Sequence, residues 1–127
     1  MSESPKTVLL VDDDYDIRSV LCEVLEQEGF TVGLAVNGRE AIAYLECNPV
    51  PSLILLDLMM PVMNGFEFRE LQMANHRWAG IPVIVMSADG AQGKTKQEKL
   101  KGAVFVKKPP DLHDFLATVH SQVATGV

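Results

Sequence analysis

The apolar residues of this chain gather in short unbroken runs that stop abruptly at polar ones. Residues 7–11 meet Asp12 and Asp13, 53–56 meet Asp57, 81–86 meet Ser87, and 103–106 meet Lys107 and Lys108. Short continuous runs separated by helix-length segments predict strands of a parallel sheet covered on both faces. Residues 31–36 are less apolar and suit a sheet edge.

Between the strands the period changes. Ile17, Val20, Leu21, Val24 and Leu25 recur at helical spacing until Gly29, which predicts a first helix. Asn37-Gly38 opens a second, marked by Ala41, Ile42 and Leu45 and closed by the proline-rich stretch at 49–52. Pro61 and Gly65 punctuate a loop, Phe68 and Leu71 begin the inner face of a third helix, and 76–80 reads as its exit. Roughly 91–100 has a weak apolar face beside Gly90 and Gly93, so a short, mobile or irregular fourth element is expected. Leu112, Phe115, Leu116, Val119 and Val123 define a last helix, entered through Pro109-Pro110-Asp111. The alternation specifies an α/β fold: (βα)5 with right-handed crossovers and a doubly wound parallel sheet in the order 2-1-3-4-5.

At 127 residues with 47% hydrophobic composition, a single globular domain spanning 1–127 is expected, with no effector domain. No apolar run approaches a membrane span, and the five apolar residues after Lys6 are too few for a secretory signal. Cys22 and Cys47 have neither metal-ligand spacing nor a CxxC arrangement, which favours reduced, packing cysteines and a cytoplasmic location. The net charge of -6 argues against direct nucleic-acid binding. The charge is uneven, however: Lys94, Lys96, Lys99, Lys101, Lys107 and Lys108 supply six of the eleven basic residues. That run reads either as a solvated helix face or as a surface steering an anionic partner.

Open α/β sheets place their chemistry beyond the carboxyl ends of the strands. Asp12, Asp13 and Asp57 are therefore expected on one rim with Ser87 and Lys108. Three close carboxylates repel one another unless a cation is bound, and Mg2+ accepts such hard oxygen ligands together with a phosphate. Ser87 and Lys108 suit phosphoryl oxygens. Asp57 is then a third ligand or a nucleophile.

Asp12-Asp13, the segment Asp57-Leu58-Met59-Met60-Pro61-Val62-Met63-Asn64-Gly65, Ser87-Ala88, Phe105 and Lys108-Pro109 together resemble the receiver domain of bacterial response regulators of two-component systems. The resemblance covers essentially the full length and implies a flavodoxin-like fold. It implies that Asp57 is phosphorylated by a sensor histidine kinase or a histidine phosphotransfer protein. Asp13, Asp57 and the Met59 backbone carbonyl would hold Mg2+ directly, with Asp12 acting through water. Ser87 and Phe105 would form the switch pair, and Lys108 would contact the phosphoryl group before a cis bond to Pro109. The domain would promote its own phosphotransfer and autodephosphorylation rather than act as a turnover enzyme. Its output would be a downstream protein met through the fourth helix, last strand and last helix, in a monomer or weak dimer. Three features depart from the family pattern: the segment between Ala103 and Lys108 is one residue shorter, Pro110 replaces a common aromatic, and glycines flank the fourth helix.

Other readings compete. Residues 88–95 fit a relaxed nucleotide-binding loop ending in Lys94-Thr95, following a strand and preceding a helical segment. A phosphorylation-independent interaction module would keep the fold without the chemistry. A calcium loop at Asp12-Asp13-Asp14 lacks its glycine and distal glutamate, and Asp14 and Asp16 better suit the start of the first helix. His76, His113 and His120 form no ligand set. Phe66, Phe68, Met59, Met60, Met63 and Trp78 read as core or loop packing.

Overall fold

The computed structural model describes residues 6–88 and 93–125. Five parallel strands, β1 (Thr7–Val11), β2 (Thr31–Ala35), β3 (Leu53–Asp57), β4 (Val83–Ser87) and β5 (Val104–Lys107), form one sheet in the order β2-β1-β3-β4-β5. They alternate with α1 (Tyr15–Gln27), α2 (Gly38–Cys47), α3 (Gly65–Met73), α4 (Lys94–Lys99) and α5 (Leu112–Thr125). The fold class and strand order are those expected. Boundaries moved at β4, where Ile81 and Pro82 lead in before the ladder starts, because proline has no N–H to donate. The Pro82 carbonyl still accepts from the Ile54 N–H at 3.0 Å.

Side-chain alternation divides the core in two. Leu9, Val11, Ile54, Leu56, Val83 and Val85 face α2 and α3, where Ala41, Leu45 and Phe68 cover them. Val8, Leu10, Leu53, Leu55, Ile84 and Met86 face Leu21, Leu25, Phe115 and Val119 of α1 and α5. β2 is the exposed edge, with Leu34 about half accessible. Several residues expected inside are not. Leu71 is 45% exposed, and α3 instead turns Phe68, Arg69 and Gln72 inward. Val20 and Leu112 lie on the rim of an apolar groove of about 310 Å³ with Ile17 and Pro109. Cys47, at the end of α2, is exposed, so only Cys22 is partly packed. Met59 is 77% exposed, whereas Met60 and Trp78 are buried as expected.

Four of the five helices, α1, α2, α3 and α5, start beside a strand end because an Asx residue caps them. Asp14 accepts from the Ile17 N–H at 3.1 Å, Asn37 from Glu40 at 2.8 Å, and Asp111 from Asp114 at 3.1 Å. Asn64 and Glu67 form a reciprocal capping box at 2.9 and 3.0 Å. Each such cap stabilises its helix by about 1 kcal/mol. Together the caps fix the strand ends and helix starts on one rim. Among the described residues, no helix is long and apolar enough to cross a membrane.

Candidate functional site

Asp12 follows β1 and is fully buried. Its N–H donates to the Ala35 carbonyl at 3.0 Å, and its Oδ1 accepts from the Asp14 N–H at 2.9 Å. Arg18 Nη1 donates to the Asp12 carbonyl at 2.8 Å, tying the turn to α1. These contacts leave Asp12 Oδ2 facing Lys108 Nζ, 2.9 Å away. Asp57 ends β3, is 5% exposed, and holds Lys108 Nζ 3.5 Å from its Oδ1. The Met59 N–H donates to the same oxygen at 3.3 Å. One carboxylate oxygen from each of Asp12, Asp13 and Asp57 lies within 4.8 Å of the others, and Asp13 is the exposed member. That donor set consists of hard oxygens, partly open to solvent, and suits a hydrated Mg2+ better than a soft metal.

Electrostatics follow from the crowding. Burial, and then the Asp12 charge, push the Asp57 carboxyl up to about 6, although Lys108 and the Met59 N–H pull the other way. Burial works against the Lys108 ammonium, but its Asp12 hydrogen bond and the nearby Asp57 outweigh it and hold its pKa above the usual lysine value. Asp57 is thus ionised at neutral pH and poorly compensated. A cation or a group that takes up its charge is favoured there.

The loop after Asp57 is pinned at both ends. Gly65 N–H donates to the Leu58 carbonyl at 3.0 Å, and Gly38 N–H to the Met63 carbonyl at 2.8 Å. A Cβ at Gly65 would come within 2.6 Å of the Asp57 carbonyl oxygen and 2.8 Å of Leu58 Cα, so only glycine lets α3 start this close to the end of β3. Val62, between these pins, adopts φ 68°, a left-handed conformation that β-branched residues disfavour.

Ser87 ends β4 and is 7% exposed. Its carbonyl accepts from the Lys108 N–H at 2.8 Å, joining the β4 end to the turn after β5, where the Lys108–Pro109 peptide is cis, as the resemblance implied. Phe105 pairs with Val85, while Ser87 pairs with Lys107. Phe105 packs with the α2/α3 cluster, and Val83, Val85 and Ser87 alternate toward that same face. The short β5 has four residues, yet it brings Phe105 to the face shared with Ser87.

The lysine run divides. Lys99, Lys101 and Lys107 are exposed; Lys108 and Lys96 turn inward, and Lys96 Nζ donates to Ser87 Oγ at 2.9 Å. Asp13, Asp57, Met59, Ser87, Lys96 and Lys108 border one cavity of about 600 Å³. By sequence, Lys96 belongs to a run that reads either as a solvated helix face or as a surface steering an anionic partner. Its spacing of four residues from the buried Leu100 carried the signal, since such pairs share one helix face. The competing nucleotide loop at 88–95 has residues 89–92 outside the described residues, and α4 behind it has six residues. His120 Nε2 lies 2.8 Å from Glu28 on the surface, away from this rim.

Residues 8–120 match the family model of the response regulator receiver domain. The response regulator Rre1 of Synechocystis is 34% identical over 122 residues, covering 94% of this chain and 52% of that protein. The chain spans 34% to 52% of the length of three curated relatives it matches. A CheY-like receiver domain protein from Methanospirillum hungatei superposes with a TM-score of 0.86 at 26% identity, covering 97% of both chains. At 21% identity the receiver domain of a Pseudomonas aeruginosa sensor histidine kinase shares the fold, with a TM-score of 0.83 over 94% of this chain and 98% of that one; a magnesium ion is coordinated in its active site cleft.

Proposed function

We propose, from the premise that this chain belongs to the response regulator receiver domain family, that Asp57 is its phosphoacceptor and a sensor histidine kinase or histidine phosphotransfer protein its donor. The observation that carries the reading is the buried Asp57 carboxylate, crowded by Asp12 and Asp13 and faced by Lys108 at 3.5 Å. Asp57 attacks the phosphorus of a phosphohistidine; the O–P bond forms as the P–N bond breaks, and the released imidazole takes a proton from solvent. Asp12, Asp13, Asp57 and the Met59 carbonyl are the groups that would hold Mg2+. When bound, the ion supplies charge neutralisation to the transferring group. Lys108 holds Asp57 and neutralises the oxygens that gather during transfer, while Ser87 donates to one of them.

Phosphorylation replaces the carboxylate with a group of about -1.5 to -2 charge and added acceptors. Those acceptors draw Ser87 and Lys108 inward, and Phe105, on the same face as Ser87, repacks. The altered surface of α4, β5 and α5 is what a downstream protein reads, through its preference for one of the two packings. Hydrolysis of the acyl phosphate resets the domain. A cytoplasmic location, where such kinases present their phosphohistidine, and a monomer or weak dimer complete the reading.

The test is treatment with Mg2+ and acetyl phosphate, followed by intact mass and amide spectra. One added phosphoryl group, lost in Asp57→Asn and accompanied by shifts at Ser87 and Phe105, is expected. An unmodified chain with an unchanged spectrum sinks the reading and returns the domain to a phosphorylation-independent role.

A further inference from the structure

Among the described residues, two ammonium groups border the cavity beside Asp57, and the function proposed above uses one of them. Lys96 projects from the short α4 into the same cavity as Asp13, Asp57 and Lys108, and its Nζ donates to Ser87 Oγ at 2.9 Å. Its direction is set by α4 itself. The Leu100 N–H donates to the Lys96 carbonyl at 2.9 Å, Leu100 is buried under the sheet, and Arg69 Nη2 grips the Lys101 carbonyl at 2.9 Å. With the C-terminal end of α4 anchored twice, the Lys96 turn faces inward while Glu98 and Lys99 face solvent.

We propose that Lys96 is a positioning residue for the phosphoryl group on Asp57: it holds the Ser87 hydroxyl as a donor toward that group and adds a second positive charge to the cavity. The inference rests on the reading of Asp57 as phosphoacceptor. Its chemistry is that of a hydroxyl, which has one O–H to give and two lone pairs to accept with. By accepting from Lys96, the Ser87 oxygen is polarised, which strengthens its O–H as a donor to a phosphoryl oxygen.

Charge supports the same role. With Asp57 phosphorylated, Asp12, Asp13, Asp14 and a phosphoryl group of about -2 gather about five negative charges at the rim. A divalent cation and Lys108 offset three of these charges, and Lys96 offsets a fourth. Because Lys96 belongs to α4, the link from phosphoryl oxygen to Ser87 to Lys96 carries the state of Asp57 to that helix directly, beside any movement of Phe105.

The test compares wild type, Lys96→Met, Lys96→Arg, Ser87→Ala and the Lys96→Met/Ser87→Ala pair, using beryllofluoride with Mg2+ as the phosphoryl mimic and amide spectra as readout. Lys96→Met is expected to weaken beryllofluoride binding by about fivefold and to shrink the shifts induced across residues 96–100. Lys96→Arg should restore most of both, and Lys96→Met should have a smaller effect on top of Ser87→Ala than in wild type, since the part of its action that runs through that hydroxyl is already gone and only its charge remains. Unchanged affinity and shifts in Lys96→Met and Lys96→Arg, or equal losses with and without the Ser87 hydroxyl, overturn the proposal while leaving Asp57 as acceptor. A wild type that neither binds beryllofluoride nor takes up phosphoryl from acetyl phosphate overturns both readings together. The two Lys96 variants guard against a folding defect in either one, with unliganded spectra matching wild type as the check.

Discussion

At Asp57 the cost of burying a crowded carboxylate is measurable in stability. Its pKa, pushed up to about 6 by burial and then by Asp12, lies above the unfolded value of about 3.9. The contribution of the group to folding is therefore fully present below about pH 4 and lost as pH rises through about 6. In metal-free protein, Asp57→Asn should raise the free energy of unfolding by roughly 1 to 3 kcal/mol near neutral pH. Urea titrations should show that gain shrinking as pH approaches 4; a gain independent of pH would contradict the carboxyl's raised pKa. Val62 is a second strained residue, since its left-handed φ of 68° suits neither its branched side chain nor its 72% exposure. Val62→Asn should stabilise by about 1 kcal/mol, read as a higher thermal midpoint. The chemistry of Asp57 was legible in its place after an apolar run. The pKa and the Val62 strain were not, because both depend on how neighbouring segments close around them.

At the scale of elements, the junction between β3 and α3 is held by a missing side chain. Gly65→Ala would drive a Cβ into the Asp57 carbonyl and Leu58 Cα, both backbone, so it should cost about 1 to 3 kcal/mol and slow phosphorylation. Stability and phosphorylation rate, measured on the same sample, check both effects. On the other flank of α3, a polar network fixes the loops at either side. Arg69 Nη1 donates to Gln72 Oε1 at 2.8 Å, and Gln72 Nε2 donates to the Trp78 and Ile81 carbonyls at 3.0 and 3.1 Å. Burial lowers the Arg69 pKa, so the guanidinium depends on these partners. Gln72→Leu should cost about 2 to 4 kcal/mol, because it takes the side-chain donor from the Ile81 carbonyl, leaves the Trp78 carbonyl only its Ile81 N–H, and removes a partner from a buried charge. Faster hydrogen exchange at 100–103, where Arg69 meets the Lys101 carbonyl, is the accompanying sign. The third helix was legible from Phe68, but its polar inner face was not: Arg69 and Gln72 read as surface residues until their partners are known.

For the molecule as a whole, three carboxylates on one rim predict linkage between the ion and folding. Mg2+ should raise the unfolding midpoint, EDTA should reverse it, and Asp13→Asn should flatten the response, as a differential scan can establish. The sequence alone determined the strands, their order, the starts of α1, α2 and α5 and the convergence of Asp12, Asp13, Asp57, Ser87 and Lys108. Those features follow from periodicity, turn chemistry and the rule that strand ends share a rim, which are local or topological. Tertiary structure decided that a second lysine of the run, Lys96, joins Lys108 at the cavity, why α3 buries an arginine and a glutamine, and how far the Asp57 carboxyl is pushed. These depend on distances between atoms remote in the chain and on exclusion of water from around them, and no residue carries that information by itself.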